Sequence, residues 1–247
     1  MEIGVIIIGD EILSGKRQDR HFTRSVEILA ERGLFISWVN YLPDDSSALI
    51  QVFSRTLKES TVVFSFGGIG ATPDDHTRQS IASALQLPLV VHSEAKREIE
   101  DQFGEDAYPH RIKMGMFPEG SRIIPNAFNR IPGFSIHRHH FLPGFPSMAW
   151  DMMEWVLDNE YEDQRVATPN VEHSILILDA PESELIPVMD QCLSKYPMCK
   201  VFSLPTITSD RRRKVELGVK GPKEQVSLAF SQIQRAITDL GFKWSEL

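Results

Sequence analysis

The sequence predicts an α/β protein with a doubly wound, mostly parallel sheet, followed by a second, smaller α+β domain. Three observations support this prediction. The chain begins with a continuous apolar run, Ile3 to Ile8, which is typical of a buried parallel strand. Apolar strands and amphipathic helices then alternate as far as Phe103. Beyond a polar segment at 159–169 the pattern changes to that of a compact α+β unit.

The elements of the first domain follow from the spacing of apolar residues and from turn signals. After the first strand we predict a helix from Asp19 to Arg32, which Gly33 ends. Its predicted inward side chains are Phe22, Val26, Leu29 and Ala30. The later elements are a strand at 34–41, a helix starting at 43–46, a strand at 61–66, a helix at 76–85, a strand at 89–91, a helix at 93–103, irregular chain at 104–120, a strand at 122–125, a hairpin across 134–142 and a helix after Pro146.

The second domain shows a β-α-β-β-α order. We predict a strand at 173–178, a helix at 182–194, a strand pair at 200–204 and 214–219, and a helix at 222–240. The predicted inward side chains of its two helices are Leu185, Val188, Met189, Cys192, Leu193, Val226, Ala229, Phe230, Ile233 and Ile237. We place the boundary near residue 165, which gives domains 1–165 and 166–247.

Composition and charge exclude several classes of protein. The net charge of -8 disfavours a protein that binds nucleic acid along a basic face. Two cysteines are too few for a disulfide framework and suit a reducing compartment. No apolar run reaches the length of a membrane span, and the N-terminus lacks a basic leader. We therefore expect a cytoplasmic protein with neither nucleic-acid nor membrane partners.

Three predicted loops follow the carboxyl ends of the first three strands, where open parallel sheets bind their ligands. The first contains Gly9, Asp10 and Glu11, and the second contains Asp44 and Asp45. The third is the glycine-rich loop, residues 67–75, with the sequence GGIGATPDD. All three bring carboxylates or bare backbone to one edge, so we expect the site there.

The glycine-rich loop has the chemistry of a phosphate site. Its three glycines allow a phosphate to approach backbone N–H groups, and the following helix adds further donors. Paired carboxylates beside a phosphate favour a divalent cation between them. The loop lacks a P-loop lysine and does not fit G-x-G-x-x-G. The predicted phosphate ligands are Gly67, Gly68, Gly70 and the hydroxyls of Thr72 and Thr77, with Asp74 and Asp75 at the metal.

Structural roles compete with these functional ones. The glycine-rich loop could be only a tight strand-to-helix turn with an aspartate as N-cap. Asp10 and Glu11 could be ligands or could cap the following turn, and Asp44 could be the N-cap of the next helix. Arg111 and Arg130 could bind phosphate in a bidentate manner or lie in solvent.

Two clusters of histidine or arginine invite a functional interpretation. His137, His139 and His140 could suggest a metal site, but neighbouring strand residues point to opposite faces, so a hairpin is favoured. The basic run at 211–214 could contact nucleic acid, but its position between two strands favours a solvated hairpin tip. Cys192 lies on an apolar helix face and is predicted to pack in the core.

Several motifs resemble one known family. The segment from Gly67 to Thr77 closely resembles the Gly-Gly-x-Gly-x-Thr-x-x-Asp-x-Thr signature of the MoaB/Mog molybdopterin-binding fold. The opening GDEILSG at 9–15 is similar to that of the CinA branch, the competence/damage-inducible proteins. FPEG at 117–120 and LPGFPS at 142–147 resemble later CinA segments, and the second domain is similar to the CinA middle domain.

The resemblance implies a function and a set of site residues. Mog-type enzymes hold a molybdopterin phosphate on the glycine loop and adenylylate it with ATP and magnesium, and the key carboxylates correspond to Asp44 and Asp75. The CinA branch is credited with a metal-dependent ADP-ribose pyrophosphatase activity. The matching turn places Pro143 and Gly144 among the ligand-binding residues. The resemblance also implies a homo-oligomer. We do not expect the deamidase activity of the C-terminal CinA domain.

Departures from the family pattern concentrate around the phosphate cradle. The chain differs at 110–113, at 129–131 and at Met148, where the family often has other residues.

Three hypotheses for the function therefore stand. The first is a hydrolase that uses Mg²⁺ or a similar ion on a nucleotide diphosphate such as ADP-ribose. The second is a molybdopterin adenylyltransferase. The third is a non-catalytic module that binds a pterin or another phosphorylated small molecule.

Overall fold

A computed structural model describes residues 1–165, 170–207 and 213–247. The chain divides into two compact units, Met1–Arg165 and Val166–Leu247. Two residues of the basic run predicted to form a hairpin tip, Arg211 and Arg212, lie outside the described residues. In the part that is described, no helix is both long enough and apolar enough to cross a bilayer.

The first unit is built on a mixed, mostly parallel sheet. Its strands are β1 (Ile3–Ile8), β2 (Trp38–Leu42), β3 (Val62–Phe66), β4 (Leu89–Val91), β5 (Met116–Pro118), β6 (Arg122–Ile124), β7 (Gly133–Ile136) and β8 (His139–Leu142). Six of them form one sheet in the order β2-β1-β3-β8-β7-β6, while β4 and β5 pair separately. The pairs β1–β2, β1–β3 and β3–β8 are parallel, and β6–β7 and β7–β8 are antiparallel.

Helices cover both faces of the large sheet. They are α1 (Asp10–Leu13), α2 (His21–Ala30), α3 (Ser46–Thr56), α4 (Thr77–Leu85), α5 (Ser93–Phe103) and α6 (Pro146–Glu160). One apolar cluster joins side chains of α2 and α6 to the sheet, and a second joins side chains of α3, α4 and α5. Because β1 and β3 are covered on both faces, every residue of these strands is buried. The predicted doubly wound fold class is confirmed.

The buried face of α2 was predicted wrongly. Phe22 and Val26 are 38% and 43% exposed, and Ala30 is exposed as well. The face that packs inward carries His21, Ser25, Ile28 and Leu29. Polar residues occupy half of this face, and the His21 ring is stacked on Phe66 with centroids 4.5 Å apart. Of the four residues that the hydrophobic spacing indicated, Leu29 is therefore the one that is buried as predicted.

Other differences are smaller. β2 begins at Trp38, four residues later than predicted, although Leu34 is buried without being part of a strand. The segment 104–120, predicted to be irregular, contains two 3-10 helices, Gly104–Ala107 and Arg111–Gly115, and the short strand β5. β5 pairs with β4, so this segment adds a two-stranded ribbon beside the main sheet.

The second unit is an α+β sandwich. Its elements are β9 (Val171–Leu178), α7 (Glu182–Lys195), β10 (Lys200–Ile207), β11 (Arg213–Gly221), α8 (Lys223–Asp239) and β12 (Lys243–Glu246). The antiparallel sheet has the order β10-β11-β9-β12 and packs on α7 and α8 through one apolar cluster. The strand β12 was not predicted, because KWSE has little apolar alternation. Leu193, predicted to face inward, is 41% exposed.

Candidate functional site

The loops after β1, β2, β3 and β8 line one cavity of about 490 Å³ at the carboxyl edge of the parallel strands. This position agrees with the expectation for an open α/β sheet. The cavity brings together most of the predicted site residues, namely Gly9, Glu11, Asp44, Gly67, Gly68, Gly70, Thr72, Asp74, Asp75, Pro143 and Gly144. Asp10 is not among the lining residues but contacts one of them, Asp44.

The first two glycines of the loop hold backbone that a larger residue would disturb. The Gly67 N–H donates to the Leu142 carbonyl oxygen at 3.0 Å, which ties the loop to the end of β8. Gly67 has φ of +101°, and an added Cβ would lie 2.5 Å from the Ile8 carbonyl oxygen. Gly68 has φ of +68°, and a Cβ there would overlap the Thr77 hydroxyl oxygen. Only glycine therefore fits between the strand ends and α4 at these two positions.

The middle of the loop presents a run of free backbone donors. Across the described residues, the N–H groups of Gly68, Ile69, Gly70 and Ala71 have no hydrogen-bond acceptor. Consecutive N–H groups in a loop that precedes a helix form a concave site that favours anions. Because all four residues line the cavity, these donors are available to a phosphate placed there.

Two residues of the loop hold each other in place. The carboxylate Oδ2 of Asp75 accepts from the Thr72 N–H at 2.8 Å and also from the Thr72 hydroxyl. The Asp75 N–H in turn donates to the Thr72 carbonyl oxygen at 3.1 Å. The Thr72 hydroxyl thus donates its proton to Asp75. Its lone pairs and the second Asp75 carboxylate oxygen remain for a ligand or a cation.

Thr77 and Arg111 do not have the predicted roles. Thr77 is fully buried, and its hydroxyl donates to the Gly67 carbonyl oxygen at 3.0 Å, so it supports the loop from below instead of facing a phosphate. Arg111 lies outside the cavity, donates to the Asp106 carbonyl oxygen at 2.7 Å and covers the Phe103 ring at 4.6 Å. Both side chains are therefore structural here.

Arg130, for which a phosphate contact or a solvated position was open, is a partly exposed surface arginine that forms ion pairs. Its guanidinium contacts the carboxylates of Glu98 at 2.7 Å and Asp101 at 3.1 Å. Its neighbours Asn129 and Ile131 line the cavity, whereas Arg130 itself does not. The role of residue 130 is thus to join its loop to α5.

The acidic edge of the cavity is formed by two loops that exchange hydrogen bonds. The Asp10 N–H donates to Asp44 Oδ2 at 2.9 Å, and the Asp44 N–H donates to Asp10 Oδ1 at 3.3 Å. The N-cap of α3 is Asp45, whose carboxylate accepts from the Ala48 N–H at 2.8 Å. Asp44 is therefore not the cap, and the structural alternative for this residue does not apply.

Several carboxylates lie close to Asp44. Partial burial raises the pKa of the Asp44 carboxyl, and the nearby carboxylates of Asp10, Glu11 and Asp74 raise it further, against the lowering effect of the Asp10 N–H. Carboxylate oxygens under mutual repulsion are suitable ligands for a hard divalent cation. Within the described residues, no three His, Cys, Asp or Glu side chains are grouped as a ready-made metal site.

Several cavity residues were missed at the sequence level. Arg17 lines the cavity from the loop after α1, and Met114, Asn126 and Phe145 contribute to its walls. The Asn126 amide donates to the Ile131 carbonyl oxygen at 3.0 Å and so shapes the loop that forms one wall. Arg17, Met114 and Asn126 belong to none of the recognised motifs, so the sequence carried no local signal for them, whereas Phe145 lies within LPGFPS at 142–147.

Arg78 was also missed, although it follows directly after the glycine-loop signature. Its side chain is buried beneath the loop, with 4% of the residue exposed. The guanidinium donates to the carbonyl oxygens of Gly70, Lys113 and Met116. Burial lowers the pKa of Arg78, and the charge of Asp75 opposes this effect. Arg78 thus joins the glycine-rich loop to β5 and the segment that leads into it.

The histidine cluster forms no common site, as the alternation of strand residues predicts. His139 Nε2 is 2.8 Å from the Thr56 hydroxyl oxygen on α3. His140 contacts the Tyr161 hydroxyl at 2.9 Å, beyond the end of α6. The two rings are therefore buried on opposite faces of the sheet.

Comparisons with known proteins identify the family of the chain. The family model described as "Probable molybdopterin binding domain" matches residues 4–163, more than half of the chain. A CinA-like protein of Anaeromyxobacter dehalogenans is 30% identical over 77% of this chain and 49% of its own length. A protein of Caldivirga maquilingensis is 30% identical over 78% of this chain and 77% of its own length.

Solved structures also resemble this chain, and one of them is a CinA protein. The crystal structure of the protein CinA, with unknown function, from Thermoplasma acidophilum has a TM-score of 0.59 and 26% identity, and the match covers 64% of this chain and 96% of that one. A relative from Caldanaerobacter subterraneus is 29% identical over 96% of this chain, which spans 58% of that relative. With the family match, these findings show that the chain belongs to the molybdopterin-binding-domain family, as a CinA-like member with the MoaB/Mog fold.

Proposed function

We propose that the chain is a metal-dependent hydrolase of a nucleotide diphosphate compound such as ADP-ribose. The observation that supports this most is that one cavity is lined by both hydrogen-bond donors and carboxylates. Free N–H groups of the glycine-rich loop and the carboxylates of Glu11, Asp44 and Asp74 line the same cavity. A phosphate with a bound cation satisfies both sets of groups at once, because its oxygens accept from the N–H groups and the cation binds the carboxylates.

The phosphate would lie on the loop. Gly68, Ile69, Gly70 and Ala71 offer their N–H groups, and the positive end of α4 follows six residues after Ala71, at Thr77. The Arg78 guanidinium donates to the Gly70 carbonyl oxygen. This hydrogen bond holds the N–H groups of the loop in their orientation when no ligand is bound. Donors that are already oriented cost little reorganisation when charge develops on a phosphate oxygen.

The cation would lie at the acidic edge. Asp44 and Asp75 are its principal candidate ligands, with Asp74 beside them, and Mg²⁺ is commonly held by one or two carboxylates together with phosphate oxygens. When bound, such an ion neutralises charge on the phosphate and lowers the pKa of a coordinated water. Asp10 orients Asp44 through the reciprocal hydrogen bonds at 2.9 and 3.3 Å. The chain's own residues thereby place the carboxylate oxygens and hold the loop.

The organic part of the ligand would contact the remaining wall. Asn129, Ile131 and Met148 line the cavity there, and all three are departures from the family pattern. A volume of about 490 Å³ lies within the usual range for small-molecule sites. The phosphate end is therefore the better-defined part of the site, and the wall would decide which compound is accepted.

The test is turnover by purified protein with Mg²⁺, Mn²⁺ or Co²⁺ against a panel of nucleotide diphosphate compounds. We expect hydrolysis of at least one compound, abolished by Asp75→Ala and by Asp44→Asn. Asp45→Asn is the matched control, because it alters the neighbouring carboxylate outside the cavity and an asparagine still caps α3. Absence of turnover with every metal and every compound would reject the hydrolase.

The second candidate is a protein that binds molybdopterin, with or without adenylyl transfer to it. The family match favours this candidate, since the matched domain is described as molybdopterin-binding. The altered wall at Asn129, Ile131 and Met148 is compatible with retained binding and lost catalysis. Binding of the pterin without hydrolysis of any diphosphate, measured by calorimetry, would favour this candidate over the first.

A further inference from the structure

We propose that Arg17 is a second phosphate anchor, which makes the cavity selective for diphosphate ligands over monophosphates. This inference rests on the proposed phosphate site of the glycine-rich loop, and it adds a residue and a ligand preference that the loop alone does not provide.

The backbone places Arg17 at the cavity by a short, hydrogen-bonded turn. The Arg17 N–H donates to the Glu11 carbonyl oxygen at 2.9 Å. Just before it, the Ser14 N–H donates to the Asp10 carbonyl oxygen at 2.8 Å and the Gly15 N–H to the Ile12 carbonyl oxygen at 3.0 Å. The backbone of Arg17 is thus tied to the acidic loop after β1.

The side chain of Arg17 is uncommitted. In the part of the chain that the structure describes, its guanidinium makes no hydrogen bond and no ion pair. By contrast, Arg32 is held by Asp158 at 2.7 Å and Arg130 by Glu98 at 2.7 Å. Arg17 is exposed and lines the cavity, so its donors are available there.

Arg17 also brings a positively charged side chain to a cavity whose other charged side chains, within the described residues, are carboxylates. Among the described residues that line the cavity, Arg17 is the positively charged one, and four carboxylates line the same cavity, those of Glu11, Asp44, Asp74 and Asp75. The N–H groups of the glycine-rich loop are neutral and can surround one phosphate. A second phosphate of the same ligand would meet the carboxylates unless a cation stands beside it.

The guanidinium is well suited to that second phosphate. Its planar arrangement of N–H groups binds two phosphate oxygens at once, and its charge strengthens both contacts. A monophosphate that occupies the loop would not need this contact. The consequence is a preference for two linked phosphates, which matches a nucleotide diphosphate and not a nucleoside monophosphate.

The test compares inorganic pyrophosphate and inorganic phosphate as probes, by isothermal titration calorimetry with Mg²⁺ present. In Arg17→Gln we expect the Kd for pyrophosphate to rise about tenfold, as for the loss of one charge-assisted contact. The Kd for phosphate should change by less than about twofold. Lys16→Gln is the matched control, because it removes the same charge from the adjacent exposed residue, which does not line the cavity. It should leave both constants within about twofold.

The outcomes separate this inference from the proposed function. If wild-type protein binds pyrophosphate and Arg17→Gln binds it equally well, the role of Arg17 is wrong and the proposed function stands. An equal loss for both probes, or an equal effect of Lys16→Gln, would show a general charge effect and also overturns the inference. If wild-type protein binds neither probe, the proposed function fails, and the inference fails with it.

Discussion

Replacement of Gly68 by alanine tests whether the glycine-rich loop has a shape that only glycine permits. Gly68 has φ of +68°, and an added Cβ would overlap the Thr77 hydroxyl oxygen and lie 3.3 Å from the Thr77 Cβ. Both Thr77 and its acceptor Gly67 are buried, so Thr77 cannot move into solvent to relieve the overlap. The loop would have to shift instead, and its free N–H groups would shift with it.

The expected loss of stability has two parts. A left-handed backbone conformation costs an alanine about 1 kcal/mol. Displacement of the Thr77 hydroxyl from the Gly67 carbonyl oxygen would add about 1 kcal/mol, the net value of one hydrogen bond. Gly120→Ala is the matched control, because Gly120 has φ of +85° and nothing lies within 4 Å of an added Cβ. We therefore expect about 2 kcal/mol for Gly68→Ala and about 1 kcal/mol for Gly120→Ala.

Urea denaturation would measure both free energies of unfolding, and calorimetry with inorganic pyrophosphate would measure binding. Gly68→Ala should weaken pyrophosphate binding by about tenfold or more, since several donors are displaced together, whereas Gly120→Ala should leave binding unchanged. In the double variant with Thr77→Ala the overlap is removed, so the effects should be non-additive. Equal stability of the two glycine variants, with wild-type binding in both, would refute the reasoning.

Three further predictions concern single carboxylates and buried histidines. Asp44→Asn should lower turnover by about 100-fold or more. It should not lower stability, because burial and neighbouring charges raise the pKa of Asp44 and so disfavour its charged form. A lower urea midpoint for this variant would contradict the prediction. Asp45→Ala should cost about 1 kcal/mol through loss of the cap to the Ala48 N–H, with pyrophosphate binding intact. Burial lowers the pKa of His139 to about 4 and of His140 to about 3, against 6.5 in the unfolded chain. The unfolded state therefore binds more protons below pH 6.5, and stability should fall by about 1.4 kcal/mol per pH unit for each ring as the pH drops from 6.5 to about 4. Urea denaturation at pH 7 and pH 5 should differ by about 4 kcal/mol, and a flat profile would show that the rings do not titrate as inferred.

Hydrophobic periodicity was sufficient for the elements that are buried in a regular pattern. The continuous apolar run of β1 and the inward positions of α6, such as Ala149 and Met153, are buried as predicted. The same method failed for α2, where His21 and Ser25 occupy the inward face. A polar residue is acceptable there because its surroundings are specific: His21 stacks on Phe66 and its Nε2 lies 3.1 Å from the Gly144 carbonyl oxygen. Such tertiary contacts leave no periodic signal in the sequence.

The candidate site was predictable where one loop supplies its own contacts. The free donors of the glycine-rich loop and the Thr72–Asp75 pair lie within a few residues of one another, so a short motif describes them. The rest of the cavity lining comes from loops that are distant in the chain. Met114, Asn126 and Met148 meet at the cavity only because of the arrangement of the later strands, and a sequence motif cannot express that arrangement.

The two adjacent aspartates after β2 show how strand register decides a question that local sequence leaves open. Either Asp44 or Asp45 could cap α3. Because β1 and β2 are parallel with Ile8 opposite Leu42, the loops that follow start side by side, and the Gly9 N–H donates to the Leu42 carbonyl oxygen at 3.1 Å. Asp44 then lies opposite Asp10 and exchanges hydrogen bonds with it, while Asp45 is left to cap the helix. A slip of one residue in this register would move the loop by about 3.3 Å and exchange the faces of the β2 side chains. The acidic edge of the cavity therefore depends on the pairing of β1 with β2 as much as on the aspartate itself.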